Sequence, residues 1–418
     1  MERLPPELLH NIVGYLEDTP SLSDCSLVSR KLHSVVRSQL FSAIDPPDSE
    51  GDFELVTHFL ARNIDIVHHI HKLSLGPNAG EDSSITTGRI LEVATSLPRL
   101  RHLHLLGLII LPPPVEPRIT KFNGERHHLE TLLIADCAVG MIPLLALLSL
   151  FRVDHAEVHW TPTMMVNPDD SIDADQLVPQ GPIEEAIPPF DIASFFLKCA
   201  DYQPSRPKPP IGEALRQLLP RSGMHTFRFE DELMLECYLE TLPVMLRDIG
   251  HTIINFDVAP LSPQSYNVLA QTLPLLPNLR SFKCDTEGSL YAYPNGMDVS
   301  AIEDLAGEVL SALPTRLTRL ELCITYFPDV DLNDVHEDPV LDQTPWGVVS
   351  NVLQHFPELK LIFEVVDTSV SDDFRPPAPV EDAHLVLAQL FPAFHARRAL
   401  EVHTSRFRDL DFGPTREL

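Results

Sequence analysis

A short apolar phrase recurs along this chain and restricts the folds open to it. Ile70-x-x-Leu73-x-Leu75 is followed by Leu100-x-x-Leu103-x-Leu105 and by Leu129-x-x-Leu132-x-Ile134. Weaker copies stand at Val153, Ala156 and Val158, at Met224, Phe227 and Phe229, and at Ile253, Phe256 and Val258. The phrase recovers at Leu279, Phe282 and Cys284 and at Leu317, Leu320 and Leu322. Alternation from Leu359 to Val365 and a fragment at Leu400-x-Val402 complete the series. A second signal punctuates it: Leu97-Pro98-Arg99-Leu100, Leu276-Pro277-Asn278-Leu279 and Phe356-Pro357-Glu358-Leu359. Amphipathic stretches precede the prolines, among them Ser265 to Thr272, Ile302 to Ala312 and Val348 to His355. Proline disfavours further helix and pushes its neighbour toward extended backbone. The unit is therefore helix, proline stop, short strand. One such unit cannot cover its own apolar face, whereas stacked units build a continuous core. The expected fold is α/β, with parallel strands lining a concave face and helices outside. The alternative is a doubly wound α/β domain, which would carry a glycine-rich phosphate loop if it bound a nucleotide. The chain has neither G-x-G-x-x-G nor G-x-x-x-x-G-K, which favours the repeat array.

Two stretches interrupt the series. Residues 161–189 hold no Lys or Arg but several Asp, Glu and Pro, and read as an acidic insertion. The segment after it predicts a helix near Ile192 to Cys199. Residues 328–345 form a second acidic loop. Cys137 to Phe151 is the most apolar run, too short for the ~20 residues of a membrane span, and reads as a buried helix.

Composition excludes several functions. Lys and Arg total 31 against 60 Asp and Glu, a formal charge of −29. A surface this acidic repels phosphate backbones and anionic bilayers, so neither nucleic acid nor membrane is expected as a partner. No arginine cluster is evident either, which argues against a phosphorylated target. The six cysteines are scattered without a C-x-x-C pair and read as small buried residues of a reducing compartment, the cytoplasm or nucleus. No secretory signal is read ahead of the first helix.

The first forty-odd residues have a different pattern. Pro5 and Pro6 suit the first turn of a helix, and Leu8, Ile12 and Leu16 follow at i, i+4, i+8, with Leu9 and Val13 widening the stripe. Thr19-Pro20 starts a second helix, with Thr19 as the expected cap and Leu22, Cys25, Val28 and Leu32 on one face. Val35, Val36, Leu40 and Phe41 give a third face. Three short helices enclose little core, so part of their apolar surface should meet a partner.

The order Leu4-Pro5, Glu7-Leu8, Ile12, Leu16, then Cys25-Ser26-Leu27-Val28-Ser29-Arg30 and Leu40-Phe41 resembles an F-box. The resemblance covers residues 1–45, with 46–52 as a linker and 53–418 as the following domain. That remainder resembles the irregular leucine-rich-repeat arrays of many fungal F-box proteins. The resemblance implies docking onto a Skp-type adaptor and, through it, a cullin–RING ubiquitin ligase. It implies that Leu4, Pro5, Leu8, Leu9, Ile12, Leu16, Leu22, Cys25, Leu27, Val28, Leu32, Leu40 and Phe41 carry that contact. Where many members place an aromatic residue after the Arg30 equivalent, this chain has Lys31-Leu32.

No constellation for chemistry of its own stands out. Asp329-x-Asp331-x-Asn333 opens like a calcium loop, but Asp334 replaces the turn glycine and Val340 the bidentate glutamate. His155-x-Glu157-x-His159 is not the H-E-x-x-H of zinc proteases, and there is no G-x-S-x-G elbow. No metal or cofactor is expected. Histidines between the repeat leucines share a strand face. His71, His102, His104 and Glu130 are thus candidate contacts for a target protein. The expected function is a non-catalytic substrate-recognition subunit. Its rivals are a ligase-independent scaffold whose N-terminal helices only cap the array, and an α/β enzyme with a deep pocket.

Overall fold

Three of the proline stops fold into the same turn. The N–H of Leu100 donates to the carbonyl of Leu97 at 3.1 Å, Leu279 to Leu276 at 3.1 Å, and Leu359 to Phe356 at 3.3 Å. The following residue then reaches back one unit: Arg101 donates to the His71 carbonyl, Arg280 to Ile254 and Lys360 to Thr318, each at 2.8 Å. Each turn thereby hands the chain to a strand already in register with the one before.

The computed structural model describes residues 4–16, 18–44, 53–76, 84–111, 126–160, 190–199, 223–231, 242–261, 265–289, 299–326, 343–367 and 380–406. The expected linker at 46–52 and the acidic insertion at 161–189 lie outside them. The chain divides into two units, Met1–Pro209 and Pro210–Leu418.

The first unit begins with α1 (Pro6–Val13), α2 (Thr19–Val28) and α3 (Arg30–Leu40), and continues with α4 (Phe53–Arg62), α5 (Thr87–Ser96) and α6 (Met141–Leu150). Its strands are β1 (Ala43–Ile44), β2 (Lys72–Leu75), β3 (Ser84–Thr86), β4 (His102–Leu106), β5 (Ile109–Leu111), β6 (His127–Ala135), β7 (Ala138–Val139), β8 (Phe151–Trp160) and β9 (Asp191–Cys199). β1, β2, β4, β6, β8 and β9 pair in that order, every pair parallel. β3, β5 and β7 form a smaller parallel sheet. The recurring phrase becomes two continuous rows across the main sheet. Leu73, Leu103, Leu132, Ala156 and Phe195 make one, and Leu75, Leu105, Ile134, Val158 and Leu197 the other. All are buried. Full burial of a large side chain of this kind contributes roughly 1.5–3 kcal/mol.

The second unit repeats the scheme with β10 (Thr226–Asp231), β11 (Asn255–Leu261), β12 (Ser281–Ser289), β13 (Arg319–Tyr326), β14 (Lys360–Asp367) and β15 (Leu400–Arg406), again parallel and in chain order. One of its rows is aromatic: Phe227, Phe256 and Phe282 stack at 6.0 and 5.9 Å between ring centres. Helices cover the apolar face. Trp346, on the helix Gln343–Leu353, meets Phe363 of β14 and Phe391 edge-on, each at 6.0 Å. Gly250 permits close approach of its neighbour, because a Cβ there would collide with the Leu275 carbonyl.

The structure departs from the sequence reading in several places. Leu32, expected on the face of the second helix, belongs to α3 because Ser29 ends α2, and Val28 points away from Leu22 into solvent. The segment expected as a helix near Ile192 is β9, which pairs with β8. Ile192, Phe195 and Leu197 are buried, so it is one more copy of the recurring phrase. Asp18, not Thr19, caps α2, its carboxylate accepting from the Ser21 N–H at 2.7 Å. The last residues of the second acidic loop, Gln343 to Pro345, already belong to a helix, where proline suits the first turn.

Candidate functional site

The N-terminal helices divide their apolar residues between two faces. Successive helical residues are turned by ~100°, so neighbours such as Leu8 and Leu9 cannot both point inward. Leu9, Val13, Leu22, Leu32, Val35 and Val36 form the buried core, with Leu4, Leu16, Cys25 and Leu40 packed against it. Leu8 (48% exposed) and Ile12 (53%) line the outer face of α1, and Tyr15 (86%) stands exposed in the turn after it. Leu27 (82%) and Val28 (66%) stand out from α2. The single α1 stripe read from sequence is thus an inner row and an outer row. Pro5 is exposed, and its carbonyl accepts from the N–H groups of Leu8 and Leu9, both at 3.2 Å. Phe41 is half-buried at the end of α3. At the Lys31-Leu32 departure, Lys31 is exposed while Leu32 joins the core.

Local chemistry holds the helices in place. Asp18 is kept below the usual carboxylate range by the Ser21 backbone N–H it accepts from. The Ser29 hydroxyl accepts from the Leu32 N–H at 3.2 Å and caps α3. Arg37 pairs with Asp65, holding that carboxyl low. The Ser42 carbonyl accepts from His71 and Lys72 at 2.7 and 3.0 Å, and β1 then joins β2. The helical module thereby runs directly into the first strand pair.

The expected target contacts lie at the start of β2, β4 and β6. Glu130 pairs with Arg101 at 3.0 Å and sits 3.6 Å from His102. His102 Nδ1 is 2.9 Å from Thr131 Oγ1, and His71 Nδ1 lies 3.1 Å from the Arg99 carbonyl. His71 and Glu130 line a cavity of about 620 Å³ together with Pro98, Arg99, Leu100, Arg101, Arg126, His127 and His128. His102 adjoins it through Glu130. His104, half-buried on β4 between Ser74 and Leu133, is not among the lining residues. Sequence reasoning missed the arginines here and found no cluster. Arg99 and Arg101 flank one phrase and Arg126 precedes the next, and the parallel register brings the second set to the first. The available signal was that basic residues precede the first leucine of two successive phrases, Arg99 before Leu100 and Arg126-His127-His128 before Leu129.

The polar face of the second unit is a ladder of paired charges. Arg228, Asp257, Lys283 and Glu321 are register neighbours across β10 to β13. Lys283 Nζ lies 2.6 Å from Glu321 and 2.8 Å from Glu364, and Arg228 lies 3.4 Å from Asp257. Burial pushes the carboxyls of Asp257 and Asp285 up to about 6. Burial opposes the charge on Lys283, but Glu321 and Glu364 outweigh it and raise its pKa. Burial also lifts the thiols of Cys137, Cys284 and Cys323, Cys137 to about 12, which leaves them poor nucleophiles. Among the described residues, no three His, Cys, Asp or Glu side chains group as metal ligands. No described helix is long and apolar enough to cross a membrane.

In a comparison with known families, residues 1–45 match the family described as F-box-like. No curated protein matches the chain in a sequence search. F-box domains bind Skp-type adaptors in cullin complexes, and their proteins are generally non-catalytic adaptors. The match therefore suggests a substrate-adaptor role.

Proposed function

We propose that this chain is the substrate-recognition subunit of a Skp–cullin–F-box ubiquitin ligase. Residues 1–45 dock on the adaptor, and residues 53–418, read as an irregular leucine-rich-repeat-like solenoid, bind the target. The observation that carries the reading is that Leu8 and Ile12 on α1, Tyr15 just after it, and Leu27 and Val28 on α2 remain exposed inside the F-box-like match. Large apolar side chains grouped at a surface gain by association. Leu4, Leu9, Leu16, Leu22, Cys25, Leu32, Leu40 and Phe41 then shape that surface from within or at its margin. The mechanism is proximity: a target held near a charged conjugating enzyme meets it at high effective concentration. No catalytic residue or cofactor is required of this chain. His71, His102, His104 and Glu130 are the proposed target contacts, and the work belongs to the cytoplasm or nucleus.

A second reading is favoured by a specific observation. Pairing of β1 with β2 and the Arg37–Asp65 bridge tie the helices to the first sheet, as a cap would be tied. Co-elution separates the two. Full-length chain mixed with a Skp-type adaptor and a cullin should elute as a ternary complex in size-exclusion chromatography. Elution of the folded chain apart from the adaptor would leave the capping scaffold as the account.

A further inference from the structure

At the corner between α2 and α3, Leu27, Val28, Arg30 and Lys31 are all exposed, and among them only the capping Ser29 is half-buried. The chain carries 60 Asp and Glu against 31 Lys and Arg, yet no acidic residue stands between Asp24 and Asp45, where Arg30, Lys31, His33 and Arg37 fall. Arg37 is committed to Asp65. Arg30 and Lys31 open α3, whose first turn holds no acidic residue, and exposed His33 follows them. The positive end of the helix dipole lies there, so cations at these positions lower the stability of the helix. A locally unfavourable choice kept on a surface marks a contact made with something else. Leu27 and Val28 beside it define the kind of partner: a protein surface whose apolar patch is bordered by carboxylates. A small anion would leave Leu27 and Val28 uncovered. An anionic bilayer is ill matched, because it would also meet Asp18 and Asp24, both exposed at α2.

We propose that Arg30 and Lys31 form an ionic rim on the docking face, received by carboxylates of the Skp-type adaptor beside the apolar patch that covers Leu27 and Val28, a reading that rests on the docking role above. Each side chain can lay an apolar stem along its neighbours and carry its charge outward. Exposed opposite charges act mainly on encounter: they raise the association rate and are screened by salt. Docking is thus held by apolar contact and guided by charge. The rim also gives Lys31 a use where the chain departs from the F-box pattern.

The test follows association of the full-length chain with immobilised Skp-type adaptor by surface plasmon resonance, at ~50 and ~500 mM salt. For wild type the association rate should fall about tenfold across that range, while the dissociation rate changes less than about threefold. Arg30→Glu/Lys31→Glu should associate about tenfold more slowly at low salt and lose most of its dependence on salt, with Arg30→Gln/Lys31→Gln between the two. Acidic residues suit the first turn of a helix, so the Glu variant should melt no lower than wild type, which separates a lost contact from a lost fold. Salt-independent association of the wild type, or a charge-reversed variant that associates as fast, would overturn the rim and leave the docking reading intact. A folded wild type that binds no adaptor at either salt would remove both. Salt-sensitive self-association without adaptor would assign the corner to a second copy of the chain and overturn the proposal.

Discussion

The exposed apolar residues of the N-terminal helices and the polar face of β10 to β15 solve opposite problems. On the first, Leu8, Ile12, Tyr15, Leu27 and Val28 stay in water although a packed core lies one residue away. On the second, Arg228, Lys283 and Arg319 find carboxylates on their own or neighbouring strands. One surface has no covering partner among the described residues, and the other is largely satisfied by its own side chains. The difference teaches where to look for an occupant. An apolar face left exposed gains from a partner, whereas a face of internal ion pairs would have to break them first.

The largest effect that sharpens the contrast lies on the inner row of α1. Leu9→Asp/Val13→Asp buries charge in the core and should unfold the N-terminal module, a loss of several kcal/mol measured by chemical denaturation. Next, Lys283→Ala leaves Glu321 and Glu364 facing each other without their shared cation. It should destabilise the second unit by about 2–4 kcal/mol. A loss below about 0.5 kcal/mol would mean that the ladder is a solvated surface, and the contrast would weaken.

Further effects follow from caps and from pH. Ser29→Ala should lower the melting stability of the helical module by about 1 kcal/mol, through loss of the cap on α3. Asp257 and Asp285 titrate near 6 in the folded chain against an ordinary value of 3.8. Between those values the folded state binds more protons than the unfolded one, so their contribution to stability grows as pH falls from 6 toward 4. The gain should be roughly 2 kcal/mol per carboxyl and in total about half as large in Asp257→Asn, followed by urea denaturation across that range. Stability that falls over this window in the wild type and equally in the variant would count against the assignment of these two carboxyls.

Much of the architecture was legible because the recurring phrase carries its own register. Leu73, Leu103 and Leu132 occupy the same place in three copies and fall in one row. Ile192-x-x-Phe195-x-Leu197 was misread because Phe195, Phe196 and Leu197 are consecutive apolar residues. A short apolar run does not distinguish strand from helix by period alone. Pairing with β8 decided it. The split of α1 was hidden for a similar reason: Leu8 and Leu9 are equally apolar, and only packing against α2 and α3 assigns their faces. The arginine-lined cavity could not be read from one segment, since Arg126 joins Arg99 and Arg101 only through the parallel pairing of β4 with β6.

The most direct measurement of the central claim is a calorimetric titration of a Skp-type adaptor into full-length wild type and into Leu8→Asp/Ile12→Asp, with thermal melts of both. Because these side chains are exposed, the variant should keep its stability within about 0.5 kcal/mol. It should lose adaptor affinity by on the order of 100-fold. A folded variant that binds as tightly as wild type, or a folded wild type that does not bind, would contradict the account.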